Sequence, residues 1–433
     1  MKTQLIVLLT FCAVINFSCS DDDKKADVPG VITGECIFKG DVLLTSQAEV
    51  DAFASMKYCD IEGDIQIGRL TGYTDITDLT GLETITKISG AVNLINNQLL
   101  KNLNGLHNIT AMTSLRIDSN NSLVNLEGLE GLVNLSNTDP YYQGVYIANN
   151  DALVNFKGFS NIEYLPILTV SSNASLANIE GLSNCTVMGT FKVTGCPLLQ
   201  NFSGLGGCAA MDSFNVYQCP QLQNFDGLSS LTKVNDLEIG YNDKLASLSE
   251  LTKLSILNNF AIKNNNALTS IGDFTNITSL NSFSCIDNNA LTNLKGLDHI
   301  TSIKYLYIEN NEVLTSLNGL QNVKKMLSVK ISGNPSLTTL KELSSLVQIQ
   351  PEVATDTKVG GLFITGNNAL VSLNGLQNVT AFRGELEIES NKSLTDLCDL
   401  LSITRSNPTN LYDVKDNKNP VNGSELNTTN CSM

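Results

Sequence analysis

Residues able to carry out acid–base or nucleophilic chemistry are few in this sequence, and they lie far apart. The two histidines, His107 and His299, stand in GLHNIT and GLDHIT, and neither is near a nucleophile or a set of metal ligands. No glycine-rich phosphate loop, nucleophile elbow or metal-binding motif is found. We therefore predict no catalytic residues and no enzyme activity. A polysaccharide-active enzyme, which would need clustered acids in a cleft, is the least favoured alternative.

Eleven cysteines could offer redox or metal chemistry. Cys196 and Cys219 are separated by the same interval as Cys185 and Cys208. A zinc site needs four converging ligands, whereas these two pairs are expected at different corners of a coiled chain. We predict no metal and no cofactor. Buried thiols are favoured over disulfides within each pair, because stacked parallel side chains keep their Cβ atoms further apart than the ~3.8 Å of a disulfide.

The repeat that holds these residues covers most of the chain. When the second apolar residue of each L-x-I pair is taken as an anchor, the anchors from Ile147 to Ile331 recur with a strict 23-residue period. A fixed period of this length indicates a solenoid, in which each repeat stacks on the next. The fourteen anchors are Ile67, Leu94, Ile117, Ile147, Val170, Val193, Val216, Ile239, Ile262, Cys285, Ile308, Ile331, Ile364 and Ile388.

Each position of the unit LYIENNEVLTSLNGL has a predicted place. Alternation puts Leu306 and Ile308 inside and Tyr305 and Tyr307 outside a short strand. Asn311 stands at the third position after the anchor, and an Asn recurs there in most repeats. Stacked in register, these amides are predicted to bond one another and the backbone at a bend.

The pattern N-x-x-L-x-x-L-x-G-L resembles a known type of repeat, and it is read from Asn311, Leu314, Leu317, Gly319 and Leu320. It is similar to the receptor L domain of the insulin and epidermal-growth-factor receptors, a right-handed parallel β-helix related to leucine-rich repeats. It also resembles the arrays of such units in surface lipoproteins of the Bacteroidota. The resemblance covers residues 36 to about 400. It implies an all-β solenoid, a right-handed parallel β-helix of about 14 rungs with an N-terminal capping helix.

The N-terminus resembles a bacterial lipoprotein signal. MKTQ precedes the apolar stretch LIVLLTFCAVINF, which is too short to span a membrane, so residues 1–18 are predicted to be a signal peptide. Cys19 follows Ser18 and precedes SDDDKK, which is similar to the surface-export signal of Bacteroidota lipoproteins, although Asn16 stands where Leu is usual. The resemblance implies a lipid on Cys19, a tether over 19–35 and an outer-membrane protein facing the exterior. The alternative is an ordinary secretory signal with a soluble product.

The rest of the chain is divided into an N-terminal cap (36–64), a repeat solenoid (65–400) and a C-terminal cap (401–433). Open solenoid ends would expose apolar surface and strand edges, so both ends need covering. A last irregular strand is expected over 410–417, after a short helix in LCDLLSITRS.

The N-terminal cap is predicted to contain a helix over 46–57. Ser46 and Glu49 form a capping-box pattern, and Val50, Phe53 and Met56 then fall on one helical face.

Five further cysteines are assigned by position. Cys36 and Cys59 flank the N-terminal cap, whereas Cys398 and Cys431 bracket the C-terminal one. In an exported protein these pairings are expected as disulfides. Cys285 replaces an inward Ile and is predicted to be a buried thiol.

Charge limits the partners. The formal net charge is −16, without a basic stripe, so phosphate backbones would be repelled and nucleic acid is not a predicted partner. No segment after the signal approaches the ~18 apolar residues of a membrane span.

Outward aromatic and basic residues are the candidates for binding, because rings on a polar strand face can stack on sugars or anchor a protein. Two insertions, 134–144 and 347–361, interrupt the period and can carry recognition. We predict a monomeric binding or adhesion module for an extracellular protein or glycan, with a structural spacer as the alternative. The candidate residues are Tyr141, Tyr142, Tyr146, Tyr217, Tyr305, Tyr307, Lys330 and Phe363.

Overall fold

The computed structural model describes residues 36–135, 144–350, 360–406, 412–419, 426 and 428–432. They form one long parallel sheet in which each strand pairs with the strands one repeat before and after it, as in Cys285 opposite Ile308 and Ile308 opposite Ile331. The strands of this main sheet are β2 (Val42–Leu44), β4 (Ile65–Gly68), β6 (Ala91–Ile95), β7 (Ser114–Asp118), β8 (Gly144–Ala148), β9 (Tyr164–Ser171), β10 (Val187–Thr194), β11 (Ala210–Tyr217), β12 (Lys233–Gly240), β13 (Asn259–Lys263), β14 (Ser279–Ile286), β15 (Ser302–Glu309), β17 (Ser328–Ser332), β19 (Gly360–Thr365), β21 (Gly384–Glu389) and β22 (Tyr412–Lys415).

The main sheet is a linear stack. In the described part of the chain β2 pairs with β4 alone and β22 with β21 alone, so the sheet is open at both ends. A strand lies at each of the fourteen predicted anchors, and β2 and β22 add one further strand at each end. The predicted all-β solenoid with a 23-residue period is confirmed.

Short strands build a second, narrower ribbon where the chain approaches the main sheet. In the middle of the solenoid this ribbon merges with the main strands, as in the eight-residue β15. Where it is separate, its strands are β1 (Ile37–Lys39), β3 (Asp60–Glu62), β5 (Lys87–Ile88), β16 (Lys325–Met326), β18 (Gln348–Ile349) and β20 (Ala381–Phe382). Single turns of 3-10 helix are found at Thr80–Leu82, Ser249–Leu251 and Lys341–Leu343.

The core is one continuous column of apolar side chains from Val42 to Val414. In β15 Leu306 and Ile308 are fully buried, while Tyr305 and Tyr307 are half-buried on the opposite face, as predicted. Phenylalanines stack between rungs in the same column. A single repeat buries too little apolar surface to offset the entropy of ordering its residues, so each rung depends on its neighbours.

A buried asparagine ladder closes the bend after each strand. Asn310 takes a left-handed conformation with φ 56°, which turns the chain so that Asn311 points into the core. The Asn311 side-chain amide donates to the carbonyl of Cys285 at 3.0 Å, and its Oδ1 accepts from the Asn288 N–H at 3.0 Å. The same arrangement recurs from Asn97 to Asn417 and is interrupted at the two rungs that carry cysteine.

Glycine fills a second corner because there the rungs are too close for a side chain. Gly319 has φ 120°, and an added Cβ would lie 2.0 Å from the Leu294 carbonyl oxygen. Glu250 stands at this position in another rung, on a turn of 3-10 helix. Its carboxylate accepts from the Phe225 N–H at 3.4 Å, so an acid replaces the backbone acceptor used elsewhere.

The N-terminal end is covered by helix α1 (Gln47–Ser55), whose N-cap Ser46 accepts from the Glu49 N–H. Val50 and Phe53 are buried as predicted. Met56, the third residue of the predicted face, is 48% exposed, and α1 ends at Ser55, before the predicted end of the helix at 57.

Both predicted terminal disulfides are confirmed. The Cys36–Cys59 bond ties the strand region before α1 to the region after it, with 5.2 Å between the Cα atoms. The Cys398–Cys431 bond, with 4.7 Å between Cα atoms, joins the last turn of the solenoid to the C-terminal segment.

The C-terminal end continues the stack. Helix α2 (Leu400–Ser406) follows the last complete repeat, and β22 then pairs in parallel with β21. No helix in the described ranges is long and apolar enough to cross a membrane. Most of the two predicted insertion loops, like the predicted signal peptide and tether, lies outside the described residues.

Candidate ligand-binding surface

The outward face of the main sheet carries the predicted binding residues in three separate groups. Tyr146 is on β8, Tyr217 on β11, and the remaining described candidates are on β15, β17 and β19. Three strand steps separate the first two groups, and four separate the second from the third. Tyr141 and Tyr142 lie outside the described residues.

The third group, here called the C-terminal aromatic cluster, consists of Tyr305, Tyr307, Lys330 and Phe363. Register places Tyr307 opposite Lys330 and Lys330 opposite Phe363, so the three form one column across adjacent strands. Tyr305 lies beside this column on β15, with the Lys304 ammonium 5.5 Å from its ring centroid. The three residues lie on the strands of the anchors Ile308, Ile331 and Ile364.

Charged side chains border the C-terminal aromatic cluster. Lys330 Nζ lies 2.6 Å from Glu309 Oε2 on the neighbouring strand, so an ion pair across adjacent strands holds the ammonium. Glu387 is the next member of the column after Phe363. Partial burial and the nearby Glu389, Glu385 and Asp413 carboxylates raise the pKa of Glu387, so the cluster ends at an acidic strip.

The first group surrounds Tyr146. The Arg116 guanidinium lies over its ring, 5.6 Å from the centroid, and bonds Asp118 on the same strand. Burial opposes the charged form of Asp118, but hydrogen bonds from Asn149, Arg116 and Ser119 hold its pKa below the usual value. Tyr146 is therefore packed on a fixed ion pair, with 38% of its surface exposed.

The second group forms a depression of about 380 Å³ around Tyr217. The Tyr217 hydroxyl donates to Glu238 Oε2 at 2.9 Å, across adjacent strands. Burial, this hydrogen bond and the Glu238 charge raise the pKa of Tyr217 above its ordinary value, so the phenol stays protonated and donates. The lining residues are Lys192, Thr194, Asn215, Tyr217, Gln218, Glu238 and Tyr241.

Sequence reasoning selected Tyr217 but missed Glu238, Gly240 and Tyr241. The sequence does contain a signal for Gly240 and for Tyr241. Gly240 is a glycine at the end of strand β12, and Tyr241 replaces the small or polar residue that usually takes the left-handed position. Their relation to Tyr217 depends on the direction of its ring, which the repeat pattern does not contain.

The cysteines and histidines do not form a cluster with this face. Cys185, Cys196, Cys208, Cys219 and Cys285 are buried free thiols. No group of three or more His, Cys, Asp or Glu that could hold a metal ion occurs among the residues that the structure describes.

The two histidines are exposed at the glycine corner. His299 follows Asp298, which lines a polar depression of about 350 Å³. Burial opposes ionisation of Asp298, but the Gly296 N–H and the Gln321 amide hold its pKa below the usual value. His107 lies many rungs away, so the histidines do not share a site.

Fold and surface together define a leucine-rich parallel β-solenoid with an aromatic-bearing outer face. No family model and no curated protein matches the sequence. Among solved structures, the chain is similar to "Crystal structure of TLR13-ssRNA13 complex", with 11% sequence identity, 87% of each chain covered and a TM-score of 0.18. A TM-score this low carries no inference about this protein.

Proposed function

We propose that this protein is a cell-surface lipoprotein whose solenoid binds an extracellular protein or glycan through the outer face of the main sheet. The observation that carries the proposal is the C-terminal aromatic cluster, in which Tyr307, Lys330 and Phe363 are held in one column on adjacent strands.

The physical argument rests on rigidity and on ring chemistry. Strands of the main sheet are ~4.8 Å apart, so Tyr307 and Phe363 stand roughly 10 Å apart on a backbone that every neighbouring rung supports. Such rings supply contact area at little cost in conformational entropy, because the sheet already orders them. Aromatic anchors such as Tyr are among the side chains that contribute most to binding energy at interfaces.

The proposed location rests on the N-terminal sequence. A signal at 1–18, a lipidated Cys19 and a tether over 19–35 would place the solenoid outside the outer membrane. The two terminal disulfides support this location, because such bonds persist in oxidising compartments. A Cys19→Ala variant should move from the membrane fraction to the soluble fraction. In addition, protease added to intact cells should cleave the native protein, and cleavage only after lysis would contradict surface exposure.

The binding proposal is tested with the mature chain on arrays of extracellular proteins and glycans. The triple variant Tyr305→Ala, Tyr307→Ala, Phe363→Ala should bind any array ligand at least tenfold more weakly. Tyr73→Ala is the matched control, because Tyr73 is 71% exposed but lies off the main sheet. Equal loss in both variants, or none in either, would contradict the proposed surface.

A spacer without a specific ligand is the second candidate, and failure of the mature chain to bind any array ligand favours it. We also propose that binding is not accompanied by turnover. A panel of polysaccharides incubated with the protein should release no products.

A further inference from the structure

The strongest unassigned feature is the relation of Tyr217 to the glycine of the next rung. A Cβ added at Gly240 would lie 2.5 Å from Cε1 and 2.7 Å from Cδ1 of Tyr217. The Tyr217 ring therefore lies directly on the backbone of β12. At the corresponding position the neighbouring strands carry Tyr217 and Lys263, so neither adjacent rung lacks a side chain there.

The next residue, Tyr241, has an unusual backbone for an aromatic side chain. Its φ is 58°, and it is the one aromatic residue with positive φ in the described part of the chain. The left-handed conformation strains an ordinary residue, and Asn or Gly, which fill this position in other rungs, bear it best. The fold alone would be served better by Asn, as at Asn264 one rung later. Tyr241 is nevertheless retained with 44% of its surface exposed.

The preceding rung also presents an unusual residue at the same place. Gln218 has φ 55° and lines the depression beside Tyr241. Two consecutive left-handed positions thus direct long side chains to one spot. Residues that break a local rule without a gain in stability are expected at functional sites.

The polar groups around the rings are of several kinds. The hydrogen bond from Tyr217 uses Oε2 of Glu238, which leaves Oε1 open to a donor. Asn215 donates through Nδ2 to Ser213, which leaves its Oδ1 as an acceptor. Lys192 is exposed and has no ion-pair partner among the described residues. One ammonium and one carboxylate balance the charge of the depression.

We infer that this depression is a subsite for a neutral saccharide, with Tyr217 and Tyr241 contacting the apolar face of a sugar ring and Glu238, Asn215, Gln218 and Lys192 bonding its hydroxyls. A sugar hydroxyl both donates and accepts, which matches a lining of carboxylate, amide and ammonium groups. The volume lies at the lower end of the roughly 300–1,000 Å³ of small-molecule sites, so one or two sugar units fit.

The inference deepens the proposed function and rests on the same outer face, but it uses different residues. It is tested by calorimetric titration of the mature chain with di- to tetrasaccharides of glucose, galactose, mannose and N-acetylglucosamine. Sulfated and uronic-acid oligosaccharides form the anionic comparison set. We expect saturable binding of at least one neutral series.

Tyr241→Asn is the diagnostic variant, because Asn suits the left-handed backbone and replaces the aromatic side chain with a short amide. Its melting temperature should be equal to or higher than that of the native chain, while affinity for the bound saccharide falls about tenfold. Tyr217→Phe keeps the ring and removes the bond to Glu238, and it should weaken binding several-fold. Tyr73→Ala, at an exposed residue off the main sheet, should leave the saccharide affinity unchanged.

Three outcomes would overturn the inference: no neutral saccharide binds, only the anionic set binds, or Tyr241→Asn and Tyr217→Phe bind as tightly as the native chain. The proposed function is separable from these results. Protein binding that the C-terminal triple variant abolishes would preserve that function while the saccharide subsite fails. Saccharide binding that Tyr241→Asn alone abolishes would establish the subsite and remove the C-terminal aromatic cluster from the proposal.

Discussion

The side-chain amide of Asn311 reaches the carbonyl oxygen of Cys285, 26 residues earlier in the chain, at 3.0 Å. The bond crosses from one rung to the preceding one inside a fully buried corner. The same amide also bonds the Glu309 carbonyl and Asn334 Oδ1, both at 3.1 Å. One side chain thus satisfies backbone groups that no water can reach.

Removing this side chain should be costly. We expect Asn311→Ala to lower the free energy of unfolding by about 3 kcal/mol or more, because several buried polar groups lose their partners. Urea denaturation followed by circular dichroism measures the change. Asn310→Gly is the control, since Gly tolerates the left-handed backbone at no steric cost, and its stability should stay within about 0.5 kcal/mol of the native value. Equal losses in the two variants would show that the bend, and not the ladder, matters.

Filling a gap in the ladder should stabilise the solenoid. Cys219 stands at a ladder position, and its N–H already donates to Asn242 Oδ1 at 3.0 Å. Cys219→Asn adds an amide that can donate to the Val193 carbonyl, and we expect a gain of about 1 kcal/mol in the free energy of unfolding. The same replacement at Cys285, which is an inward core position, should instead destabilise, because the larger side chain disturbs the ladder amides of Asn288 and Asn311 that the thiol already contacts. Thermal melting of both variants distinguishes a ladder effect from a general effect of Asn.

Alkaline pH should weaken the fold through the buried thiols. Burial raises the pKa of Cys196 and Cys208 to about 11, and that of Cys285 to about 12. Thiols in the unfolded chain lose their protons near pH 9, so the folded state holds more protons between pH 9 and 11. Stability should therefore be complete below pH 8 and fall as pH rises through that window, by about 1–2 kcal/mol per thiol up to pH 10.5.

The urea midpoint measured from pH 7 to 10.5 checks this dependence. Cys285→Val removes one thiol. The fall in the urea midpoint with rising pH should therefore be smaller by the contribution of that thiol. A native midpoint that stays constant up to pH 10.5 would contradict the burial of these groups.

The C-terminal disulfide should stabilise the last rungs. The Cys398–Cys431 bond closes a loop with a sequence separation of 33 residues, for which the chain-entropy estimate is about 3–4 kcal/mol. We expect Cys398→Ser with Cys431→Ser to lower the melting temperature of the C-terminal region and to speed proteolysis there. The Cys36→Ser, Cys59→Ser pair should act on the opposite end. If both pairs of variants melt and are cleaved alike at both ends, the two bonds do not act locally.

The period of the sequence was enough to predict register and the inward face. Side chains alternate across a strand, and a constant spacing of the anchors leaves one way to stack Ile308 on Cys285 and Ile331 on Ile308. The pairing of Tyr307 with Lys330 follows from that register alone, whereas Phe363 comes after an insertion and is placed by its own anchor, Ile364.

Side-chain direction and helix ends could not be predicted in this way. The contact of Tyr217 with Gly240 depends on a rotamer, and the exposure of Met56 depends on the residue at which α1 ends. Whether two cysteines one repeat apart form a disulfide also depends on where they lie in the rung. Cys36 and Cys59 are one repeat apart and bonded, whereas Cys196 and Cys219 have the same separation and remain thiols inside the core.

The open ends of the main sheet make length an adjustable property of this molecule. Each rung contacts its neighbours through the same asparagine, glycine and leucine positions, so the two surfaces exposed by removing one whole repeat would match each other. Deleting or duplicating a whole repeat would keep every remaining ladder in phase, whereas the loss of one residue within a strand would turn the rest of the inward face of that strand outward. The length of such a solenoid can change in steps of one rung, while the side chains exposed on every other rung stay the same.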